Sequence, residues 1–200
     1  DIHLCPTISS MQNLKMSLGK NINAHVVGNT VLDNLSRYPS LAEDFVLVTM
    51  HRRENHENIK EWFTAINNIA KNSDLDFILP LHPNPNVVKF SHILTDVEVV
   101  SPLPYDTCID MVSRCKFLIT DSGGLQEESS FFGKRCIVCR KVSERTEGIG
   151  DFAFMCPEPK DLESIYDCVS NARPTLVPLD CPYGDGKSAE KIAEILRSVI

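Results

Sequence analysis

The stretch that most constrains the fold is residues 116–133, KFLITDSGGLQEESSFFG. A short apolar run at 117–119 predicts a buried strand, and a Gly-Gly turn and a helical segment ending at Gly133 follow it. Ser122 is placed to cap that helix, so Gly123 and Gly124 fall in its first turn, where backbone N–H groups lack acceptors within the helix. This order favours a phosphate site, although a tight strand-to-helix turn explains the same residues equally well.

A carboxylate lies one helical turn beyond the glycines. Glu128 follows Gly124 by four residues and therefore lies on the same face of the predicted helix. An anionic oxygen there suits hydroxyl donors, such as a ribose diol next to a phosphate. The alternative is a solvated Glu-Glu pair.

Apolar runs alternate with amphipathic segments over most of the chain. Predicted strands cover 45–50, 77–81, 97–100, 117–119 and 135–139, and predicted helices cover 9–18, 57–70, 84–94, 106–113, 125–132, 161–171 and 187–200. This alternation predicts an α/β fold with a Rossmann-like, doubly wound parallel sheet and helices on both faces. We divide the chain into a lead-in or hinge segment (1–40), a Rossmann-like nucleotide-binding domain (41–180) and a C-terminal turn and helix (181–200).

Polar residues follow several predicted strands directly. Parallel sheets bind ligands beyond the carboxyl ends of their strands, so His51, His82 and Asp121 are expected along one sheet edge. The charged loop at 143–148 should lie there as well. Each loop alone fits an ordinary surface network, a proline-stiffened turn or a solvated turn. Together the four loops favour an anionic ligand that carries hydroxyls, such as a nucleotide or nucleotide-sugar.

Bulk properties exclude several classes of function. The formal net charge of -7 argues against a nucleic-acid or anionic-membrane partner, and no stretch approaches a membrane span. Eight cysteines show no disulfide-framework or zinc-ribbon spacing. Cys136 and Cys139 form a CxxC on a predicted strand, where residues three apart point to opposite faces and cannot share a metal. We expect buried thiols in a reducing cytoplasm, and no metal or cofactor.

Six motifs together resemble one known family, the non-hydrolysing UDP-N-acetylglucosamine 2-epimerases. They are GNTVLD (28–33), TMHRREN (49–55), HPNP (82–85), DSGGLQEE (121–128), SERTE (143–147) and PYGDG (182–186). Their order and spacing agree across nearly the whole chain. The resemblance implies the C-terminal domain of a GT-B-like two-domain fold, with residues 41–180 as the UDP-binding domain.

The resemblance also implies UDP-binding residues. Ser122, Gly123 and Gly124 would hold the UDP phosphates, and Glu128 would accept the ribose hydroxyls. Arg145 would lie at the ligand edge of the UDP site. Thr146 stands where the family usually has proline, which leaves a direct role for Arg145 open.

The remaining implied roles concern catalysis and activation. His51 would lie in the active site near the diphosphate. Arg52 and His82 match positions that contact a second UDP-N-acetylglucosamine (UDP-GlcNAc), which activates bacterial members. The family reaction interconverts UDP-GlcNAc and its 2-epimer, UDP-N-acetylmannosamine (UDP-ManNAc), for polysaccharide biosynthesis, by eliminating UDP to a glycal and adding it back.

The family is about twice as long as this chain, and its acid–base carboxylates come from the first half. We therefore expect an N-terminal domain as the missing partner, and a homodimer for the full-length protein. Several alternatives stay open: a non-catalytic nucleotide-sugar-binding or regulatory module, a hydrolysing epimerase and a 2-epimerase of a modified UDP-sugar. A GT-B glycosyltransferase fits the architecture alone.

Overall fold

The computed structural model describes residues 1–171 and 180–199. Its strands are β1 (Ile2–Cys5), β2 (Asn23–Val26), β3 (Phe45–Thr49), β4 (Asp76–Pro80), β5 (Glu98–Val100), β6 (Phe117–Thr120), β7 (Cys136–Val138) and β8 (Ala153–Met155). Its α-helices are α1 (Ile8–Leu18), α2 (Ile59–Lys71), α3 (Pro85–Val88), α4 (Tyr105–Arg114), α5 (Gly123–Phe131), α6 (Leu162–Ser170) and α7 (Ser188–Val199). Short 3-10 helices cover Thr30–Arg37, Arg53–Asn55, Ser91–Ile93, Thr146–Gly148 and Pro159–Asp161.

The strands β3 to β8 form one parallel sheet in the order β5-β4-β3-β6-β7-β8. Strands β3, β4 and β5 follow one another towards one edge of the sheet. Helix α4 then crosses back, and β6, β7 and β8 follow one another from β3 towards the opposite edge. The strand order therefore reverses between β3 and β6, where the carboxyl ends leave a crevice for a ligand. The predicted Rossmann-like α/β sheet is confirmed.

Both faces of this sheet are buried, which explains why its strands are continuously apolar. All five residues of β3 are buried. Val46 and Val48 pack with Trp62 of α2 on one face, whereas Leu47 packs with Ile109 of α4 on the other. Burying each large apolar side chain contributes about 1.5–3 kcal/mol, so the sheet holds its edge loops on a rigid base.

The CxxC cysteines divide between the two faces, as predicted. Cys136 belongs to the apolar cluster with Leu47, and Cys139 belongs to the cluster with Val46 and Val48. All eight cysteines are free thiols.

The lead-in residues form a small unit and then cross to the main sheet. β1 and β2 pair in parallel in a separate sheet, joined by α1. Leu32 and Leu35, from the 3-10 helix that follows, are fully buried in the cluster of Leu47 and Leu118.

Some predicted elements were wrong. The helix expected over 84–94 ends at Val88, and a 3-10 turn over Ser91–Ile93 follows. The segment contains two valines and a serine, which favour a helix weakly. The short strands β1 and β8 were missed because three or four residues show too little alternation.

Two predicted ranges extend beyond the described residues. Residue 200 of the terminal helix and residues 172–179 of the domain 41–180 lie outside them. Within 1–171 and 180–199, no helix combines the length and apolar character needed to cross a membrane.

Candidate functional site

A cavity of about 390 Å³ opens at the carboxyl ends of β3, β4 and β6. His51, His82, Tyr105, Gly124 and Glu128 line it, together with Ser122 and several apolar side chains. A larger groove of about 560 Å³ runs along α2, and none of the predicted site residues lines it. Five of the predicted site residues therefore line this cavity, at the point where the strand order reverses: His51, His82, Ser122, Gly124 and Glu128.

Asp121 organises the loops around this cavity. It follows β6 directly, and its fully buried carboxylate accepts hydrogen bonds from the backbone N–H groups of His51 (2.9 Å) and Arg52 (2.8 Å) and from Nδ2 of Asn55 (3.1 Å). Nδ1 of His51 lies 3.3 Å from Oδ1 of Asp121. These contacts orient the loop after β3 towards the end of β6.

The two predicted histidines are neighbours. The rings of His51 and His82 stack with centroids 6.0 Å apart. Nδ1 of His82 accepts from the N–H of Asn84 (3.3 Å), which leaves its Nε2 as the protonated nitrogen of the neutral ring. Burial, and then the nearby His51 and His56, lower the pKa of His82. The prediction that His51, His82 and Asp121 share one sheet edge is confirmed.

The start of α5 meets the cavity as an unobstructed helix end. Oγ of Ser122 caps it by accepting from the N–H of Leu125 (3.4 Å), as predicted. Among the described residues, a Cβ on Gly124 would meet no atom within 4 Å, so the backbone there is open to a ligand. Gly123 is buried, and a Cβ on it would lie 3.3 Å from the guanidinium of Arg145. The first-turn N–H groups and a helix-end charge of roughly +0.5 suit an anion.

Glu128 lies one turn deeper in the same cavity. Its side chain is buried, and its Oε1 accepts a hydrogen bond from Oη of Tyr105 at 2.8 Å. Burial raises the pKa of Glu128, as does the adjacent Glu127, whereas the Tyr105 hydroxyl lowers it. A carboxylate with little water around it is a strong acceptor for ligand hydroxyls.

Arg145 lies in a neighbouring cavity of about 230 Å³, which Glu127, Glu147 and Tyr183 also line. Its Nε donates to Oε1 of Glu127 at 2.7 Å, and Glu127 also accepts from Nδ2 of Asn29. The guanidinium lies next to Gly123, where an added Cβ would approach it to 3.3 Å. The structure thus holds Arg145 beside the helix start through an ion pair.

Arg52 follows His51 in the loop after β3 and does not line the cavity of Glu128. His51 and Arg52 line a cavity of about 420 Å³ with Arg53 and Glu54. Nε of Arg52 is buried and has no hydrogen-bond partner within the described residues. His51 therefore shares one cavity with His82 and another with Arg52.

Three residues of the site were given no role by the sequence analysis: Tyr105, Asn55 and Glu127. Asp121 was predicted at the ligand edge, but not as the acceptor that orients the loop after β3. Tyr105 comes shortly after β5, so the carboxyl-end rule could have found it. Asn55 and Glu127 act through partners far away in sequence, which no local pattern shows.

Comparison with known proteins agrees with this geometry. A family model described as UDP-N-acetylglucosamine 2-epimerase matches residues 1–197. The epimerase of Campylobacter jejuni is 32% identical over 98% of this chain, and that of Bacillus subtilis (strain 168) is 31% identical over 98%. The chain spans 60% and 57% of those two relatives' lengths, corresponding to their C-terminal half.

Solved structures agree as well. The S. aureus MnaA-UDP co-structure superposes with a TM-score of 0.89 at 26% identity, over all of this chain and 60% of that one. The Neisseria meningitidis UDP-GlcNAc 2-epimerase bound to UDP-GlcNAc gives 0.83 at 28% identity, over 98% of this chain and 61% of that one. The sheet with its reversal point, the motifs around it and the family match lead to one conclusion: the chain belongs to the UDP-N-acetylglucosamine 2-epimerase family.

Proposed function

We propose that this chain is the UDP-binding part of a UDP-GlcNAc 2-epimerase that interconverts UDP-GlcNAc and UDP-ManNAc. The observation that carries the proposal is the cavity at the strand reversal. There, an open helix start at Gly124, two histidines and the buried carboxylate of Glu128 converge. Relatives of 26–28% identity, which cover this chain almost completely, hold UDP or UDP-GlcNAc.

The polar groups match the parts of a nucleoside diphosphate. The N–H groups at the start of α5, with Ser122 and Gly124, would bind the diphosphate, and Gly123 would contribute backbone beside them. Glu128 would accept the ribose hydroxyls. Arg145, held by Glu127 at 2.7 Å, would add positive charge from the neighbouring cavity.

The proposed reaction separates UDP from the sugar and joins the two again. The proton leaves carbon 2, its electron pair forms the double bond to carbon 1, and UDP departs with the electrons of its bond to carbon 1. Addition of UDP and return of the proton on the opposite face of carbon 2 complete the epimerisation. The N-terminus of α5 would stabilise the negative charge that develops on the departing diphosphate. His51, oriented by Asp121, would lie next to the diphosphate.

The acid–base carboxylates are assigned to the part of the relatives that this chain does not span. Arg52 and His82 are proposed to contact a second, activating UDP-GlcNAc, because each of them shares a cavity with His51. The cytoplasmic location and the homodimer of the full-length protein stay predictions.

Calorimetry of the chain with UDP and with UDP-GlcNAc tests the assignment. We expect the parent to bind UDP and Glu128→Ala to bind it about tenfold or more weakly, since a charge-assisted hydrogen bond contributes about 1.5–3 kcal/mol. Glu163→Ala, which removes an exposed glutamate of α6, is the matched control.

Two results would contradict the proposal. If Glu128→Ala binds UDP as tightly as the parent, the ribose assignment is wrong. If the chain by itself epimerises UDP-GlcNAc, the assignment of acid–base chemistry to a missing domain is wrong. Binding without turnover in the isolated chain is the expected outcome.

A further inference from the structure

Tyr105 connects the rim of the cavity to its interior. It is the first residue of α4, and the residue is 51% exposed where it lines the cavity. Its hydroxyl nevertheless points to Oε1 of Glu128, at 2.8 Å. Glu128 itself is only 5% exposed, so a rim residue makes a direct hydrogen bond to a buried carboxylate.

This bond acts on the charge of Glu128. Burial favours the neutral acid and raises the pKa of Glu128, whereas the hydrogen bond from Tyr105 stabilises the anion. Burial and the neighbouring carboxylate raise the pKa of Tyr105, so its hydroxyl stays a donor at neutral pH. A protonated Glu128 would lose one of its acceptor oxygens, and it could no longer receive two hydroxyl hydrogen bonds from a diol.

We propose that Tyr105 is a positioning residue that holds Glu128 ionised and oriented, and thereby sets the preference of the site for ribose over deoxyribose nucleotides. The inference rests on the proposed function, because it takes a uridine nucleotide as the ligand. It goes further by naming a residue that acts on sugar discrimination through its contact with Glu128.

Other titratable groups face the same space. Cys108 lies on α4 beside Glu128, Glu127 is its neighbour on α5, and His51 and His82 line the cavity. Protonation of the histidines would strengthen the binding of any diphosphate. A ratio of affinities for two diphosphates that differ only in the sugar removes most of that contribution.

The test measures the affinity of UDP and of 2′-deoxy- and 3′-deoxy-UDP from about pH 5 to about pH 8, by calorimetry, for the parent and Tyr105→Phe. We expect the parent to prefer UDP by about tenfold at neutral pH, since hydrogen bonds to a charged group are the strong ones. In Tyr105→Phe the preference should fall several-fold at pH 7. On acidification, the variant should lose this preference at a higher pH than the parent does, because Glu128 without the Tyr105 hydrogen bond takes up a proton more readily.

Tyr166→Phe is the matched control, since it removes another hydrogen-bonded tyrosine hydroxyl, 2.7 Å from Oγ of Ser73 and outside the cavity. It should keep the parent's ratio and pH profile. If Tyr105→Phe also keeps both, or if it weakens UDP and its deoxy analogues equally, the inference is overturned while UDP binding stands. If the parent binds no UDP, the proposed function itself fails.

Discussion

At the scale of single residues, the buried carboxylates of Asp121 and Glu128 have different hydrogen-bond partners and different roles. Asp121 has its acceptor capacity filled by backbone N–H groups and by Asn55, so it fixes loop geometry. Glu128 receives a hydrogen bond from one tyrosine hydroxyl at the rim of an open cavity. Asp121 therefore has a structural role, whereas Glu128 can still accept hydrogen bonds from a ligand.

The stability of the ligand-free chain should reflect the burial of Glu128. Its folded-state pKa is raised, so the folded state holds the proton more tightly, and stability is lost as pH rises through that pKa. Glu128→Gln should therefore raise the melting temperature at pH 7, by about 2–4 °C for each kcal/mol gained, and the gain should shrink towards pH 4. Thermal melts at both pH values measure this.

Glu163→Gln, on the exposed face of α6, should leave both melting temperatures unchanged. A lower melting temperature for Glu128→Gln at pH 7 would show that the carboxylate stabilises the fold. The proposed ligand role requires a higher melting temperature for Glu128→Gln instead. In that case the buried charge lowers the stability of the ligand-free chain, and its benefit lies in ligand binding.

At the scale of elements, α5 combines an open first turn with a body that is mostly buried. It begins with two glycines, and it carries no acidic residue in its first turn. Its other contacts hold it in place: Ser143 donates to Gln126 at 2.8 Å, and Glu127 pairs with Arg145. The helix end is therefore supported from the loop after β7 while its first turn stays open to the crevice.

Gly124→Ala should separate stability from binding. Alanine favours a helix over glycine by up to about 1 kcal/mol, and the new Cβ meets no atom of residues 1–171 or 180–199 within 4 Å. The melting temperature should hold or rise. UDP affinity should fall about tenfold, because the methyl group would occupy space next to the anion.

Calorimetry and thermal melts of one variant test both statements. The stability measurement is the internal control, since a misfolded variant would lose both properties. Unchanged UDP affinity in a stable Gly124→Ala would show that the diphosphate does not approach this turn.

At the scale of the whole molecule, two motifs far apart in sequence meet. The N–H of Asn29 donates to the carbonyl of Tyr183 at 2.7 Å, and Asp33 caps α7 through the N–H groups of Ser188 (2.9 Å) and Ala189 (2.7 Å). The Tyr183 hydroxyl also accepts from the N–H of Gly148, at 3.2 Å. The lead-in, the loop 143–148 and the C-terminal turn are therefore joined next to α5.

This junction depends on Gly184, whose φ is +128°. A Cβ there would also lie 3.0 Å from Cα of Gly28. We expect Gly184→Ala to lower the free energy of unfolding by about 2–3 kcal/mol, from backbone strain and from the close contact together. Chemical denaturation measures the change.

Gly19→Ala is the matched control, because Gly19 has a φ of +106° but a Cβ there would meet no atom within 4 Å in the part of the chain that the structure describes. It should cost about 1–2 kcal/mol, from backbone strain alone. An equal loss in both variants would mean that the contact between Gly28 and Gly184 contributes nothing.

Local patterns were enough to predict much of this protein. The buried strands, the Ser122 cap, the glycines at the start of α5, and the shared edge of His51, His82 and Asp121 all follow from short-range periodicity and the geometry of parallel sheets. Those rules need only the neighbours of a residue in sequence or the direction of a strand. The features that depend on them can therefore be predicted from the sequence alone.

The pairings between elements were decided only by tertiary structure. These pairings are Tyr105 with Glu128, Glu127 with both Arg145 and Asn29, and Tyr183 with Asn29 of the lead-in. They join residues that lie 18 to 154 positions apart. Which polar atoms meet over such separations depends on how helices pack against the sheet, and no spacing along the chain encodes that distance. The sequence determined the sheet and the place of its binding edge, and the packed structure decided which side chains hold each other there.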